Sequence, residues 1–374
     1  MIRSPVVAGR NRAPRRPRLW QAGLFAPLLL LASCGPAADP EIRFALSAPP
    51  RAVAEASPPA RFTNSEFVAP DGARLPLRKW LPGGDVKAVI LALHGFGDYS
   101  NAFAMPAALW AERGIATYAF DQRGFGGAPG RGLWAGEGQL AGDAVTASRL
   151  LRLAYPGRPL YLLGESMGGA VAVLAATGAA SGAVAGPSGA PVAGPDGVIL
   201  SAPAVWGRAT MDLLPRLALF AGVRLFPDMI VTGRGLHIMA SDNLPMLKAL
   251  ARDPLVLKGA RLDTVYGLVD LMDEAFAAAP RLTAPTLILY GAHDQVIPRP
   301  PITEFVAHLS AEPGHVRRLA YYAEGYHLLL RDLDAAAVAG DVASWILDRA
   351  APLPSRADAA ETAVPWPPPP GGGS

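Results

Sequence analysis

The sequence of 374 residues predicts an α/β protein with a mainly parallel central sheet flanked by helices. Three observations lead to this prediction. Hydrophobic residues make up 51% of the chain, which is enough apolar material for a large buried core. Short apolar runs such as 88–93 lack alternating polar residues, as is typical of strands buried on both faces. Helical stretches separate these runs, and this alternation is typical of parallel sheets.

The predicted sheet begins with a hairpin and continues as buried strands. Segments 61–68 and 74–81 flank Asp71 and Gly72, a dipeptide that favours a tight turn between two strands. The buried strands that follow are predicted at 88–93, 115–120, 160–163, 198–200 and 286–290. Segment 316–322 carries two arginines, so we expect it to lie at an edge of the sheet, where charged side chains can reach water.

Helices are expected between these strands, and one long segment departs from the pattern. Residues 139–153 and 167–176 have the apolar spacing of helices. Segment 206–280 is rich in Leu, Met, Phe and Ala at helical spacing and contains no clear strand. We therefore predict that 206–280 is a helical insertion into the α/β domain. Segment 178–197 consists almost entirely of Gly, Ala, Ser, Pro and Val, which predicts a loop.

Segments at the two ends of the chain are expected to lie outside the folded domain, which is predicted to span 61–350. Residues 1–33 begin with six arginines and no acidic residue, continue with an apolar stretch and end in small residues, which is the pattern of a secretory signal peptide. Residues 34–60 are rich in Pro and Ala and are predicted to form a flexible tether. Residues 351–374 contain a run of four prolines and a run of three glycines, which predicts a disordered tail.

Cys34 is the single cysteine of the chain and directly follows the signal-peptide pattern. The residues Leu31-Ala32-Ser33-Cys34 resemble the lipobox of bacterial lipoproteins, and this resemblance implies a diacylglyceryl group on the Cys34 sulfur and cleavage before it. Gly35 stands where an Asp would imply retention in the inner membrane. We therefore expect a lipid-anchored protein of the bacterial cell envelope, at the outer membrane facing the periplasm if the cell is Gram-negative. The alternative is a soluble exported protein.

The distribution of charge and cysteine excludes several classes of protein. The chain has 34 Lys and Arg and 31 Asp and Glu, a net charge of +3, but without the six arginines of residues 1–33 the balance is −3. The folded part therefore shows no excess of basic residues typical of nucleic-acid binding. One cysteine cannot form a disulfide framework or a Cys-based zinc site, and the histidines lack metal-ligand spacing, so neither a metal nor a cofactor is expected.

Residues 164–168 (Gly-Glu-Ser-Met-Gly) fit the pattern G-x-S-x-G, with Ser166 at the centre. In enzymes with this pattern the serine lies on a sharp turn between a strand and a helix. Here the predicted strand 160–163 precedes the motif and the predicted helix 167–176 follows it. The glycines allow close approach at such a turn, and the helix N-terminus presents free N–H groups to a developing anion. Ser166 is therefore the candidate nucleophile.

Asp294 and His327 are the candidate partners of this serine. A serine hydroxyl is a weak nucleophile at neutral pH, so a base must accept its proton, and a carboxylate must orient that base. Asp294 follows the strand predicted at 286–290, and His327 follows 316–322, which gives the chain order Ser, Asp, His. We expect His327 to be the base and Asp294 to hold its imidazole. His293 is the rival histidine, but its place beside Asp294 favours a structural role.

Two backbone N–H groups are expected to stabilise the oxyanion. One belongs to Met167, the residue after the candidate nucleophile. The other is expected from the loop 94–98 (His-Gly-Phe-Gly-Asp), which follows the predicted strand 88–93. Its glycines let the chain turn, so that the N–H of Phe96 can point at a substrate carbonyl. His94 is expected to be a structural residue of this loop without a part in proton transfer.

Five motifs together resemble the α/β-hydrolase superfamily over about residues 61–349. They are 94–98 (HGFGD), 120–126 (FDQRGFG), 164–169 (GESMGG), 291–294 (GAHD) and 325–327 (GYH). More narrowly, they are similar to the group of monoacylglycerol lipases, lysophospholipases and serine aminopeptidase-like proteins. The chain departs from this group at Ala128, which stands near a position where Ser is usual. The resemblance implies a helical cap over the sheet, and 206–280 lies where that cap occurs.

These observations predict a serine hydrolase that cleaves carboxylic esters through an acyl-enzyme. The apolar insertion and the expected lipid anchor favour small amphiphilic esters, such as monoacylglycerols or lysophospholipids. An acyltransferase or a peptidase with the same residues is an alternative, because water, an alcohol or an amine can resolve an acyl-enzyme. A catalytically silent envelope protein that uses the fold for binding is a further alternative, and the complete set of Ser166, Asp294 and His327 argues against it.

Overall fold

A computed structural model describes residues 59–178, 194–209, 211–233, 235, 238–309 and 317–358. Several predicted segments lie outside the described residues. They are the signal peptide 1–33, Cys34, residues 35–58 of the tether, most of the loop predicted at 178–197, and residues 359–374. Within the described ranges, no helix combines the length and the apolar character that are needed to cross a bilayer.

The described part of the chain is centred on a nine-stranded sheet. The strands in chain order are β1 (Arg61–Phe62), β2 (Glu66–Val68), β3 (Arg74–Trp80), β4 (Ala88–Leu93), β5 (Ile115–Phe120), β6 (Leu160–Glu165), β7 (Gly197–Ser201), β8 (Ile230–Val231), β9 (Ala260–Arg261), β10 (Thr286–Gly291) and β11 (Arg317–Tyr322). Strands β8 and β9 form a separate antiparallel pair, and the other nine lie in the order β1-β2-β3-β5-β4-β6-β7-β10-β11.

Six neighbouring strands of this sheet, from β5 to β11, run parallel, and β1, β2 and β3 join them antiparallel at one edge. Every residue of β4, β5, β6 and β10 is buried, as their uninterrupted apolar sequences predict. Strand β11, with its two arginines, lies at the opposite edge. The predicted fold class, an α/β protein with a mainly parallel sheet, is confirmed.

Helices cover both faces of the sheet. In chain order they are α1 (Ala104–Glu112), α2 (Glu137–Ala154), α3 (Met167–Thr177), α4 (Leu213–Leu225), α5 (Leu244–Arg252), α6 (Leu262–Ala278), α7 (Arg299–His308) and α8 (Ala335–Leu347). Helices α1 and α8 pack on one face, where Trp110 and Trp345 are fully buried. Helices α2, α3, α6 and α7 contribute to the core on the other face. The two apolar cores hold the sheet, and with it the ends of its strands, in place.

The predicted insertion 206–280 divides into two different parts. No residue of α4 or α5 is buried. Helix α6 instead packs against α3, and its Leu271, Ala275 and Ala278 are fully buried in the core. The prediction of a strand-free cap up to residue 280 is therefore wrong in two respects. The cap ends near residue 261, and it contains the two-residue pair of β8 and β9.

The folded domain continues beyond its predicted end at residue 350. Leu353 is buried in the same core as α8, and the backbone N–H of Ser355 donates a hydrogen bond of 2.9 Å to the carboxylate of Asp341. Residues 351–358 therefore belong to the folded part, and the predicted start of the disordered tail is wrong. The segment is short and has little apolar content, so its composition does not indicate that one leucine anchors it.

Candidate active site

Ser166 lies on the turn between β6 and α3 with a strained backbone. Its φ is 52° and its ψ is −117°, a conformation that a residue with a Cβ rarely adopts. Two hydrogen bonds of 2.9 Å hold it there, one from its N–H to the carbonyl of Ser201 and one to its carbonyl from the N–H of Ala204. Ser166 is partly exposed between the buried Glu165 and Met167, so the turn leaves the serine accessible.

Steric limits explain the two glycines of the G-x-S-x-G motif. A Cβ on Gly164 would lie 2.2 Å from the carbonyl oxygen of Gly168. A Cβ on Gly168 would lie 1.9 Å from the carbonyl oxygen of Leu93, at the end of β4. In both cases the obstructing atom belongs to the backbone and cannot rotate away. Helix α3 therefore approaches β4 and β6 so closely that neither position has room for a methyl group.

Asp294 and His327 form a buried hydrogen-bonded pair. His327 Nδ1 lies 2.9 Å from Asp294 Oδ2, and the two side chains are 5% and 0% exposed. Because a carboxylate only accepts hydrogen bonds, the pair keeps the proton on Nδ1 and leaves Nε2 free to accept one. Asp294 Oδ1 accepts hydrogen bonds of 2.8 and 2.9 Å from the N–H groups of Val296 and Ile297, which hold the carboxylate in this orientation.

The parallel strands bring the candidate residues to the same end of the sheet, where the carboxyl ends of the strands lie. Ser166 follows β6, Asp294 lies just beyond β10, and His327 lies beyond β11. Glu165, directly before Ser166, is close enough to His327 for their charges to interact. The loop after β4 reaches the same place, since a Cβ on Gly95 would lie 3.4 Å from the Cβ of Ser166. The structure thus collects the predicted site residues in one region of the fold.

The N–H groups of Phe96 and Met167 are both available to an oxyanion. Met167 is the first residue of α3, where a helix leaves N–H groups without intrahelical partners. Phe96 follows Gly95, which lies against Ser166. Across the described residues, neither N–H donates to another backbone group. An oxyanion that accepts from both would be stabilised by two donors and by the partial positive charge at the start of α3.

His94 is a structural residue of the loop 94–98. Its Nε2 accepts a hydrogen bond of 2.9 Å from the N–H of Gln122, so the proton lies on Nδ1, which donates to the carbonyl of Gly95 at 2.9 Å. Burial lowers the pKa of His94, which favours this neutral form. Both ring nitrogens are engaged, so His94 has no free position for a proton transfer, as expected from its place in the sequence.

His293 has different surroundings from His327. Its side chain is 48% exposed, and its Nε2 lies 3.8 Å from the carboxylate of Glu324. Its ring stacks on Tyr326 with a centroid separation of 5.2 Å. The carboxylate of Asp294 therefore pairs with the distant His327 and not with its neighbour in the sequence. This contact favours His327 over His293 as the base.

A buried ion network beside Ser166 goes beyond what the motifs predict. Arg331 contacts the carboxylates of Asp98 and Glu165 at 2.6 and 2.5 Å. The sequence holds two signals of this network, a charged residue directly before Ser166 and an arginine four positions after His327. No periodicity or spacing connects these positions, because they lie in three segments that are far apart in the sequence.

The arrangement offers a hydroxyl, a base with a fixed tautomer and two N–H donors. These are the groups that acyl transfer through a covalent serine intermediate requires. In the part of the chain that the structure describes, no group of three His, Cys, Asp or Glu side chains is placed to hold a metal ion.

A match to a known family covers most of the chain. Residues 84–334 match the family model described as serine aminopeptidase, S33. The chain belongs to this family. The matched range contains the loop 94–98 as well as Ser166, Asp294 and His327. Together with the fold, it confirms the prediction of a serine ester hydrolase in the α/β-hydrolase superfamily.

Relatives of this S33-family member include lipases from distant organisms. It is 28% identical over 314 residues to the monoglyceride lipase of Mus musculus, an alignment that covers 79% of this chain and 97% of that protein. It is 27% identical over 294 residues to the monoacylglycerol lipase of Mycolicibacterium smegmatis, with 76% and 98% covered. The resemblance to the monoacylglycerol lipase group, predicted from the motifs, is confirmed.

Solved structures with the same fold include further lipases. A soluble variant of monoglyceride lipase from Saccharomyces cerevisiae, in complex with a substrate analog, has a TM-score of 0.61 at 21% identity and covers 81% of this chain and 99% of that one. The monoacylglycerol lipase of Paleococcus ferrophilus has a TM-score of 0.58 at 20% identity, with 73% and 98% covered. At these identities the likeness shows the fold, which is the α/β-hydrolase fold.

Proposed function

We propose that this protein hydrolyses carboxylic esters of the monoacylglycerol class through an acyl-enzyme on Ser166. The observation that carries the proposal is the buried pair of Asp294 and His327, which lies at the same end of the sheet as Ser166. Support comes from the relatives named monoglyceride or monoacylglycerol lipase, which align with this chain over nearly their full length.

In the acylation step, the Ser166 oxygen attacks the ester carbonyl carbon while His327 Nε2 accepts the hydroxyl proton. Asp294 stabilises the resulting imidazolium through the hydrogen bond to Nδ1. The carbonyl oxygen becomes an oxyanion that accepts hydrogen bonds from the N–H groups of Phe96 and Met167. The tetrahedral intermediate collapses when His327 gives its proton to the leaving alcohol oxygen, which departs as glycerol in the case of a monoacylglycerol.

Deacylation repeats these steps with water as the nucleophile. His327 Nε2 takes a proton from water, whose oxygen attacks the acyl carbon, and a second oxyanion forms between the same N–H groups. His327 then returns the proton to the Ser166 oxygen, which releases the fatty acid and restores the free enzyme.

The exposed apolar surface of the cap supports an amphiphilic substrate. Helix α4 has five large apolar side chains with at least half of their surface accessible, namely Leu213, Leu214, Leu217, Phe220 and Leu225. The cap also reaches the loop that carries Phe96, because the N–H of Leu257 donates to the carbonyl of Gly97 at 2.8 Å. An apolar cap beside this loop favours substrates whose acyl chain can leave water against it.

A monoacylglycerol is expected to be cleaved with a kcat/KM at least about tenfold above that of the corresponding triacylglycerol. The reason is that the apolar cap offers a surface for one acyl chain, while the alcohol that leaves is small and polar. The measurement is fatty-acid release across a series of acyl lengths, with p-nitrophenyl esters in parallel. An aminoacyl p-nitroanilide is the matched amide substrate. Faster cleavage of this amide than of any ester would overturn the proposal and indicate a peptidase.

We also propose that the enzyme is held at a membrane of the bacterial cell envelope by a lipid on Cys34. The proposal is supported by the arginine-rich and apolar pattern of residues 1–33 and by the position of the only thiol directly after it. The two chains of a diacylglyceryl group suffice for stable anchoring, whereas one chain binds only marginally. Gly35 favours the outer membrane facing the periplasm. An anchor would place the site beside the membranes in which amphiphilic esters collect.

Replacing Cys34 by alanine is expected to move the protein out of the membrane fraction and the detergent phase, because no other residue can carry a thioether-linked lipid. Intact-mass analysis of the membrane-extracted protein measures the modification directly. As a control, a chain that begins at residue 60 is expected to be soluble and to hydrolyse small esters at the parent rate. A mature N-terminus without lipid, at a residue other than Cys34, would contradict the anchor and leave the ester hydrolase proposal standing.

A further inference from the structure

Arg331 has a buried guanidinium group that joins two buried carboxylates. Its Nη1 donates to Asp98 Oδ2 at 2.6 Å, and its Nη2 donates to Glu165 Oε1 at 2.5 Å. The Arg331 side chain is 8% exposed, and those of Asp98 and Glu165 are 11% and 1% exposed. Charge-assisted hydrogen bonds of this length in a dry environment are strong and directional.

The three residues belong to the three loops that carry the proposed machinery. Asp98 lies two residues after Phe96, at the end of the loop after β4. Glu165 is the last residue of β6 and directly precedes Ser166. Arg331 ends a short helical turn that begins two residues after His327. One side chain therefore connects the proposed oxyanion loop, the nucleophile turn and the histidine loop.

Arg331 also supplies the counter-charge to a carboxylate next to His327. Burial raises the pKa of Glu165, and Arg331 is the main group that opposes this rise. Glu165 Oε2 is buried and has no hydrogen-bond partner among the described residues, so this carboxylate depends on Arg331 for compensation. The charged groups that face Glu165 are Arg331, Asp98 and His327. Those that face His327 are Asp294, Glu165 and Asp332.

We propose that Arg331 is a positioning residue, which holds the three segments in register and supplies the counter-charge to Glu165 beside His327. The inference rests on the proposed roles of Ser166 and His327 and adds to them the group that aligns them. Stability alone is a weak explanation for such a network, because buried ion pairs are often no more stabilising than apolar residues of similar volume. The two directional hydrogen bonds of the guanidinium fix the relative positions of the three segments more sharply than apolar contacts do.

The Arg331→Met variant is expected to lose about a hundredfold in kcat on a small soluble ester, with KM changed less than about threefold, because small displacements of reacting groups cost about this much. Its pH profile is expected to change as well. Without the guanidinium, the buried Glu165 binds a proton at higher pH, and kcat then falls on the acid side where the parent is still constant. The Arg331→Met/Glu165→Gln double variant is expected to lack this additional titration.

Arg123 offers a matched control. It is also largely buried between two carboxylates, at 2.6 Å from Asp143 and 2.7 Å from Asp71, but it connects the β2–β3 hairpin with α2. Arg123→Met is expected to lower the Tm without shifting the pH profile. Arg331→Lys keeps the charge but not the two-armed geometry, so it is expected to restore the parent pH profile and only part of kcat.

The outcomes separate the possible explanations. An Arg331→Met variant that melts earlier but keeps the parent kcat and pH profile would overturn the proposal and leave Arg331 a structural residue. If Arg331→Met does not fold, the variants Arg331→Lys and Asp98→Asn test the same proposal. A kcat like that of the parent in both variants would overturn the positioning role of Arg331. Failure of the ester hydrolase proposal is recognised independently, because the Ser166→Ala variant leaves this network intact and would then retain its activity.

Discussion

Replacement of Ser166 by alanine is expected to abolish labelling by a fluorophosphonate probe and to lower ester turnover at least about a thousandfold. The proposed acyl-enzyme forms on the serine oxygen, and without it only binding and the oxyanion donors remain. The fold is expected to survive, since the strained turn is held through backbone contacts with Ser201 and Ala204 that alanine keeps. Probe labelling and steady-state kinetics on the purified variant measure both effects.

Ser148 provides the control for this substitution. It lies on α2, half-buried, and its hydroxyl donates to the carbonyl of Ala144 within the same helix at 2.8 Å. Ser148→Ala is expected to keep parent labelling and parent turnover. Turnover of Ser166→Ala within tenfold of the parent, or labelling that disappears only in Ser148→Ala, would refute the assignment of the nucleophile.

The Asp294→Asn variant is expected to lose about 10³- to 10⁴-fold in turnover while keeping its fold. The Asn carbonyl oxygen can still accept from the N–H groups of Val296 and Ile297, so the loop remains closed. The amide NH₂ then faces His327 Nδ1 and donates to it, which moves the imidazole proton to Nε2. In this tautomer Nε2 cannot accept the serine proton. Steady-state kinetics with a thermal melt of each variant test the prediction.

His293→Ala is the comparison for the same loop. The His293 side chain is half exposed and stacks on Tyr326, away from the Asp294 carboxylate. Its loss is expected to reduce turnover less than about tenfold, because it removes a surface contact and no group in the proposed proton path. A large loss in His293→Ala together with a small one in Asp294→Asn would show that the pairing of this loop is different.

Local sequence patterns predict much of the architecture. The strands β4, β5 and β10 coincide with the runs predicted at 88–93 and 115–120 and nearly with that at 286–290, because a strand buried on both faces must be continuously apolar. The turn at Ser166 is equally predictable, since the space between α3, β4 and β6 admits only glycine at two positions. In both cases the residues that meet the constraint lie close together in the sequence, so a short window contains the pattern.

Boundaries that depend on partners far away in the chain are not predictable in this way. Helix α6 has the same kind of apolar spacing as α4, yet α6 is buried against α3 while α4 is exposed. Residues 351–358 resemble a tail in composition, but Leu353 fills a space in the core that contains α8. Whether an apolar face is covered depends on which surfaces the chain brings together, and composition does not contain that information.

The candidate site shows the same division. The motifs are enough to predict that Ser166, Asp294 and His327 follow strands in an order compatible with one catalytic group. The pairing of Asp294 with His327, and not with the adjacent His293, is seen only in the folded chain. The same holds for the guanidinium of Arg331, which joins Asp98 and Glu165 beside the site. Hydrogen bonds and ion pairs depend on distance in space, and the folded sheet brings together segments that are far apart along the chain.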